Sequence, residues 1–96
     1  MLVPCRNEEA TVADVVAGFT ASLPGCAVYV YDNGSVDATA ARATEAGAVV
    51  RTEEVPGKGG VVRRMFAEVD ADVYVMADGD GTYDPAQAAV LVKRLV

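Results

Sequence analysis

Short apolar runs alternate along the chain with longer stretches in which apolar residues recur every three or four positions. Leu2–Pro4, Ala27–Tyr31, Ala48–Thr52 and Val73–Ala77 are short, mostly β-branched or aromatic, and each is followed by polar or glycine-containing residues. They predict buried strands. Ala10 to Ser22, Val36 to Ala46 and Gly59 to Val69 carry helical spacing, and a fourth helix is predicted from Pro85 to the end. Local chemistry marks the boundaries. Thr11 with Asp14 forms a partial capping pair, and Pro24-Gly25 stops the first helix after Leu23. Ser35 is the expected cap of the second helix, with Asp37 in its first turn and Gly47 just past its end. Asp84-Pro85 opens the last helix.

Strands that alternate with helices must be joined by crossovers, since parallel neighbours cannot be linked by tight hairpins. The pattern predicts an α/β fold: a Rossmann-like nucleotide-binding half whose parallel sheet runs in the order 3-2-1-4, with helices on both faces. No repeat or linker divides residues 1–96, which are expected to form a single domain. With 52% hydrophobic and 23% charged residues the chain is expected to fold. Its apolar runs, broken at Asp14 and Gln87, fall short of the roughly 20 residues that span a bilayer. The opening residues lack a basic region followed by an apolar stretch, so a cytoplasmic location is expected. In that compartment Cys5 and Cys26 are expected to remain thiols. A net charge of −6 disfavours nucleic acid as a partner and suits a divalent cation better.

In sheets of this kind ligands collect at the carboxyl ends of the strands. The residues there are Pro4-Cys5-Arg6-Asn7-Glu8-Glu9, Asp32-Asn33-Gly34-Ser35 and Asp78-Gly79-Asp80-Gly81-Thr82-Tyr83-Asp84. Asp78 and Asp80 flank a glycine, which lets the backbone bend so that both carboxylates reach one hard cation such as Mg²⁺ or Mn²⁺. Taken alone, Asp-Gly-Asp-Gly is equally a solvated turn. A calcium loop is disfavoured by the preceding strand and by Pro85, which interrupts the loop before a closing glutamate. Gly57-Lys58-Gly59-Gly60 before a helix offers backbone N–H groups and an ammonium to phosphate, without the full spacing of a phosphate loop. The first turn has no Gly-x-Gly-x-x-Gly, so a nicotinamide or flavin site is not expected. Arg63 and Arg64 either meet a diphosphate or solvate a helix face. Each group has a bland reading of its own. Together, acidic and amide groups after strands one, two and four converge on one edge and point to a nucleotide pocket.

Val3-Pro4-Cys5-Arg6-Asn7-Glu8-Glu9, Tyr31-Asp32-Asn33-Gly34-Ser35-Val36-Asp37-Ala38-Thr39, Gly57-Lys58-Gly59 and Asp78-Gly79-Asp80 resemble, in order and spacing, the family 2 glycosyltransferases of the GT-A fold. Those acting on dolichyl or polyprenyl phosphates are the nearest analogy. The resemblance implies nucleotide contacts from Pro4, Arg6, Asn7, Glu8, Asp32, Lys58 and Asp78. Pro4 and Glu8 would line the base and ribose site, with Asp32 on the base or ribose. Asp78 and Asp80 would stand as the Asp-x-Asp signature that holds the metal and diphosphate. It further implies a nucleoside-diphosphate sugar as donor, inverting transfer, and a lipid-phosphate acceptor at the inner face of the membrane. Family members continue well past the Asp-x-Asp loop and begin with a longer first strand. The domain is therefore expected to be incomplete, with acceptor-side catalytic residues beyond Val96 and donor binding without transfer. An unpaired fourth-strand edge, with Val73, Val75, Val90, Leu91 and Leu95, leads to the expectation of a homodimer. The rival readings are a nucleotidyltransferase, for which the glycine-rich first loop is missing, and a non-catalytic interaction module on the same scaffold.

Overall fold

Three parallel strands carry the molecule: β1 (Leu2–Cys5), β2 (Tyr29–Asp32) and β3 (Val49–Thr52), joined through the helices α1 (Val12–Ser22) and α2 (Thr39–Glu45) and followed by α3 (Lys58–Glu68). This computed structural model describes all residues except 24, 56, 72, 73, 78, 80, 82–84, 86, 88, 89, 91 and 93–96, and describes Lys58 by its backbone alone. The strands lie in the order β1-β2-β3, with Leu2 beside Tyr29, Cys5 beside Asp32, and Asp32 beside Thr52. In space this is 3-2-1.

On the other side of β1 a single parallel bridge pairs Leu2 with Met76. The Leu2 N–H donates to the Val75 carbonyl at 2.7 Å, and the Ala77 N–H donates to the Leu2 carbonyl at 3.2 Å. Residues 75–77 thus stand where a fourth strand was expected, yet the described residues form a bridge there and not a strand. Of the predicted order 3-2-1-4 the sheet shows 3-2-1, and a fourth strand is not confirmed; Val73 lies outside the described residues. Pro4 limits the pairing available along this edge. Backbone groups of Met1 and Cys5 face β2, accepting from Tyr29 and Asn33, while those of Leu2 face residues 75–77. Pro4 is next in the alternation on the Leu2 side and has no N–H to give.

Period-two alternation divides the core. Val3 and Cys5 of β1 and Val30 of β2 pack with Val12, Val15, Val16 and Phe19 of α1 and Ala43 of α2. Leu2 and Tyr31 face the other way and pack with Val61, Met65 and Val69. Helices therefore cover both faces. The α1 residues recur at i, i+3, i+4 and i+7, and full burial of each Val or Phe stabilises by about 1.5–3 kcal/mol.

The helix starts differ from their sequence readings for local reasons. Residues 9–11 form a turn, with the Glu8 carbonyl accepting from Thr11 at 3.1 Å and Val12 at 2.8 Å, so α1 opens at Val12. The Thr11 hydroxyl makes no cap bond to that helix. Ser35 does not cap α2, which begins only at Thr39. Side chains in the 32–39 loop hold its backbone in tight turns instead, as described below. Gly47, at φ 100°, ends α2 as expected. Pro24 and most of the helix expected from Pro85 lie outside the described residues.

Candidate functional site

The loops that leave β1 and β2 are laced together. The Asn7 N–H donates to Ser35 Oγ at 2.8 Å, and the Val36 N–H donates back to Asn7 Oδ1 at 2.9 Å. The Glu8 N–H donates to Thr39 Oγ1 at 2.9 Å, the Glu9 N–H to Asp37 Oδ2 at 3.3 Å, and the Ala38 N–H to Glu9 Oε2 at 3.2 Å. Asn7 itself sits at φ 53°, a left-handed conformation that asparagine tolerates better than most residues. Within the second loop, Asp32 Oδ1 accepts from the Ser35 N–H at 3.1 Å and from the Ser35 hydroxyl. Asp37 Oδ1 likewise accepts from the Thr39 N–H at 3.0 Å and from the Thr39 hydroxyl. The Thr39 hydroxyl, followed by a backbone bond, holds the Asp37 carboxyl below its usual range. Backbone donors that would otherwise face water are thereby spent on fixing the rim.

Asn33 extends the rim to the next crossover. Its Nδ2 donates to the carbonyls of Glu53 and Val55, each at 2.9 Å, and its Oδ1 accepts from the Gly57 N–H at 3.2 Å. Gly57 precedes α3 at φ 123°, which a residue with Cβ would adopt only under strain. Of the donors that sequence reading offered to phosphate at Gly57-Lys58-Gly59-Gly60, the Gly57 N–H is therefore already bonded within the protein. Arg64 is likewise engaged within the protein. It pairs with Glu53 at 3.2 Å and Glu68 at 3.0 Å and donates to the Thr52 carbonyl at 2.6 Å, tying α3 to the end of β3. Glu68 also accepts from the buried Tyr31 hydroxyl at 2.8 Å, which lowers its own pKa, while burial raises that of Tyr31. Arg63 is exposed.

Gly79 lies buried against the end of β1. The Thr11 hydroxyl donates to its carbonyl at 2.6 Å. A methyl group built on Gly79 would overlap Cys5 Sγ and come to 3.6 Å from Glu8 Cγ. Its backbone is not in the left-handed region. The flexibility expected of this glycine is therefore not what the position demands; it demands space. Two further contacts run alongside: Gly81 lies near Thr11, and a methyl built on Gly18 of α1 would come to 2.7 Å from Pro85.

The structure brings Asn7, Glu8, Asp32 and the Gly79 backbone to one end of the sheet. Pro4 is buried within β1, so its side chain is part of the floor beneath this rim. Arg6 is exposed beside it. Lys58 opens α3 on the side clamped by Asn33. Asp78 and Asp80 lie outside the described residues, and among the described residues no group of three or more His, Cys, Asp or Glu side chains is placed to hold a metal ion. Sequence reading gave Asn33 and Thr39 no individual role and Thr11 only that of a partial cap. The first two sit inside a motif already singled out, where the recurrence of Asp, Asn, Ser and Thr signals side-chain bonding to the backbone. The partner of Thr11 is distant in sequence and left no local signal.

Residues 1–96 match the sequence profile of glycosyl transferase family 2. Protein RfbJ of Shigella flexneri is 46% identical over 96 residues, covering 100% of this chain and 74% of RfbJ. Glycosyltransferase AglJ of Haloferax volcanii is 38% identical over 97 residues, covering 99% of this chain but 31% of AglJ. Glucosyl-3-phosphoglycerate synthase from Mycobacterium tuberculosis, solved with Mn²⁺, uridine diphosphate and glucosyl-3-phosphoglycerate, superposes with a TM-score of 0.86 at 31% identity, over 98% of this chain and 38% of that one.

Proposed function

The chain belongs to glycosyl transferase family 2, and on that footing we propose that it binds a nucleoside-diphosphate sugar with Mg²⁺ or Mn²⁺, as the donor half of an inverting sugar transferase. The observation that carries this reading is the seating of Gly79 beside Glu8 and Cys5. It brings the centre of Asp78-Gly79-Asp80 to the rim that already holds Asn7, Glu8 and Asp32. The synthase solved with Mn²⁺ and uridine diphosphate supports both the metal and a uridine donor.

In this reading Glu8 and Asp32 face the nucleoside. Among the described residues only Ser35 bonds the Asp32 carboxylate, through Oδ1, so Oδ2 is the oxygen offered to the base or ribose. Asn33 fixes the approach of the loop that carries Lys58, whose ammonium and neighbouring first-turn N–H groups suit the diphosphate. Asp78 and Asp80 would hold the divalent ion, which supplies charge neutralisation to the departing diphosphate. The acceptor we propose carries a phosphate: a polyprenyl phosphate presented at the inner membrane face, with the protein cytoplasmic and peripheral. A homodimer formed along the 74–76 edge is part of the same reading, supported by the exposure of Met76 and Phe66 there, and light scattering tests it.

Calorimetry with uridine or guanosine diphosphate, in Mn²⁺ or in chelator, tests the donor and metal together. Tighter binding with metal is expected, and equal affinity in both conditions would overturn the metal assignment. Sugar transfer by the full-length protein to polyprenyl phosphate, compared with a soluble phosphorylated acid, tests the acceptor.

A further inference from the structure

We infer that Thr11 and Cys5 are positioning residues for the Asp78-Gly79-Asp80 loop, the hydroxyl holding the Gly79 carbonyl and the thiol setting a stop that admits only glycine between the two aspartates. The inference rests on the proposed metal role of that loop and adds to it the residues that fix its place.

Two independent contacts support it, one polar and one steric. Thr11 stands at the start of α1, where a hydroxyl ordinarily accepts from a backbone N–H of the first turn. Here it makes no such bond, and donates at 2.6 Å to a carbonyl 68 residues away. A threonine that forgoes its usual cap to reach a buried distant carbonyl ties that carbonyl to the first turn of α1. The steric contact comes from β1. Cys5 is buried at the last position of the strand, paired in register with Asp32, so its backbone and Cβ are fixed by the sheet. Its Sγ occupies the space that a side chain at position 79 would need. With the backbone of Gly79 outside the left-handed region, the obstacle to an alanine there is the Cys5 thiol, which would have to shift, and not its own dihedral angles.

The consequence concerns metal binding. A cation held by two carboxylates needs both at the correct separation, and a loop carbonyl locked from behind restricts the backbone between them. Groups that orient ligands from outside the coordination sphere typically change metal affinity by about 10–100-fold when removed. Thr11→Val keeps the shape and removes the hydroxyl; Thr11→Ser keeps the hydroxyl.

The test is Mn²⁺-dependent binding of uridine diphosphate to the full-length protein, by calorimetry, with a parallel titration in chelator. Thr11→Val should weaken binding in Mn²⁺ by about 10-fold while leaving the affinity in chelator unchanged, and Thr11→Ser should restore it. Wild-type affinity in Thr11→Val, or equal losses with metal and with chelator, overturns the role of Thr11. If the wild-type protein binds no better with Mn²⁺ than with chelator, the metal reading itself falls, and with it the role of the loop. The steric half has a readout that needs no ligand. Gly79→Ala should lower the melting temperature. Adding Cys5→Ala should recover most of the loss, because the remaining Cys5 Cβ would lie 3.5 Å from the new methyl, an ordinary contact. An unchanged melting temperature in Gly79→Ala, or no recovery in the double variant, overturns the steric stop.

Discussion

The two sides of the rim are built on different plans. On the side of β1 and β2, residues 7–9 and 32–39 bond to each other through Asn7, Glu9, Ser35, Asp37 and Thr39, so that each loop is the other's template. On the side of residues 75–85 the described contacts are of different kinds: a backbone bridge at Leu2, a hydroxyl on the Gly79 carbonyl, and close packing at Cys5 and Gly18. A laced network resists the loss of any single bond, because its neighbours remain. A segment held at separate points answers sharply to the loss of one. The nucleoside side is thus preorganised by redundancy, while the described residues on the other side are fixed by contacts of different kinds: a backbone bridge, a hydroxyl and close packing.

That contrast can be broken most directly at the proposed metal ligand. Asp80→Asn should reduce the Mn²⁺-dependent part of nucleotide affinity by more than the roughly 10–100-fold expected for an outer-sphere group, with little change in chelator. Calorimetry reads both, and equal losses would mean that the two sides are not separable. Next in size is Asn33→Leu, which removes the bonds to Glu53, Val55 and Gly57. At about 1 kcal/mol net for each bond, denaturant unfolding should show a loss of roughly 2–3 kcal/mol. Thr39→Val, within the laced side, leaves the Glu8 N–H without its acceptor and should cost about 1–2 kcal/mol; a much larger loss would argue against redundancy.

The smallest effect is a pH dependence. The Asp37 carboxyl is held below the ordinary aspartate value of about 3.9 by the Thr39 hydroxyl. A lowered folded-state pKa contributes stability that is present above the unfolded value and is lost as pH falls through the folded one. Asp37→Asn should therefore flatten the acid limb of the stability curve by slightly lowering stability at neutral pH while leaving the most acidic end nearly unchanged, as thermal unfolding between about pH 2 and 7 would show.

Much of this was legible in the sequence. The strands were readable because β-branched residues with period-two alternation fill both faces of the sheet, as Leu2 and Val3 do on opposite sides. The helices α1 and α3 were readable because their apolar residues recur at three and four positions. The start of α2 was misplaced by three residues, from Val36 to Thr39, because the same aspartate and serine that favour helix starts also close turns onto their own backbone. Sequence position could not tell which use would prevail, since the answer depends on Asn7 and Glu9 lying opposite. The ion pairs of Arg64 were hidden in the sequence for a related reason. Its partners Glu53 and Glu68 are revealed only when β3 and α3 meet. The role of Gly79 was read as flexibility, and only its approach to Cys5 showed it to be a matter of volume.

Pro4 carries one more lesson. Among the described residues, main-chain pairing between β1 and residues 75–77 advances as far as Leu2, and the next backbone nitrogen on that edge is an imide with no hydrogen to donate, so Pro4 works as an end stop. Slippage by one residue would turn every side chain of the segment to the wrong face. An end stop on the strand already fixed at its other edge limits how far such slippage can run. Residues added to or taken from the loop after Ala77 would therefore alter the mouth of the site while leaving the register of the sheet beneath it untouched.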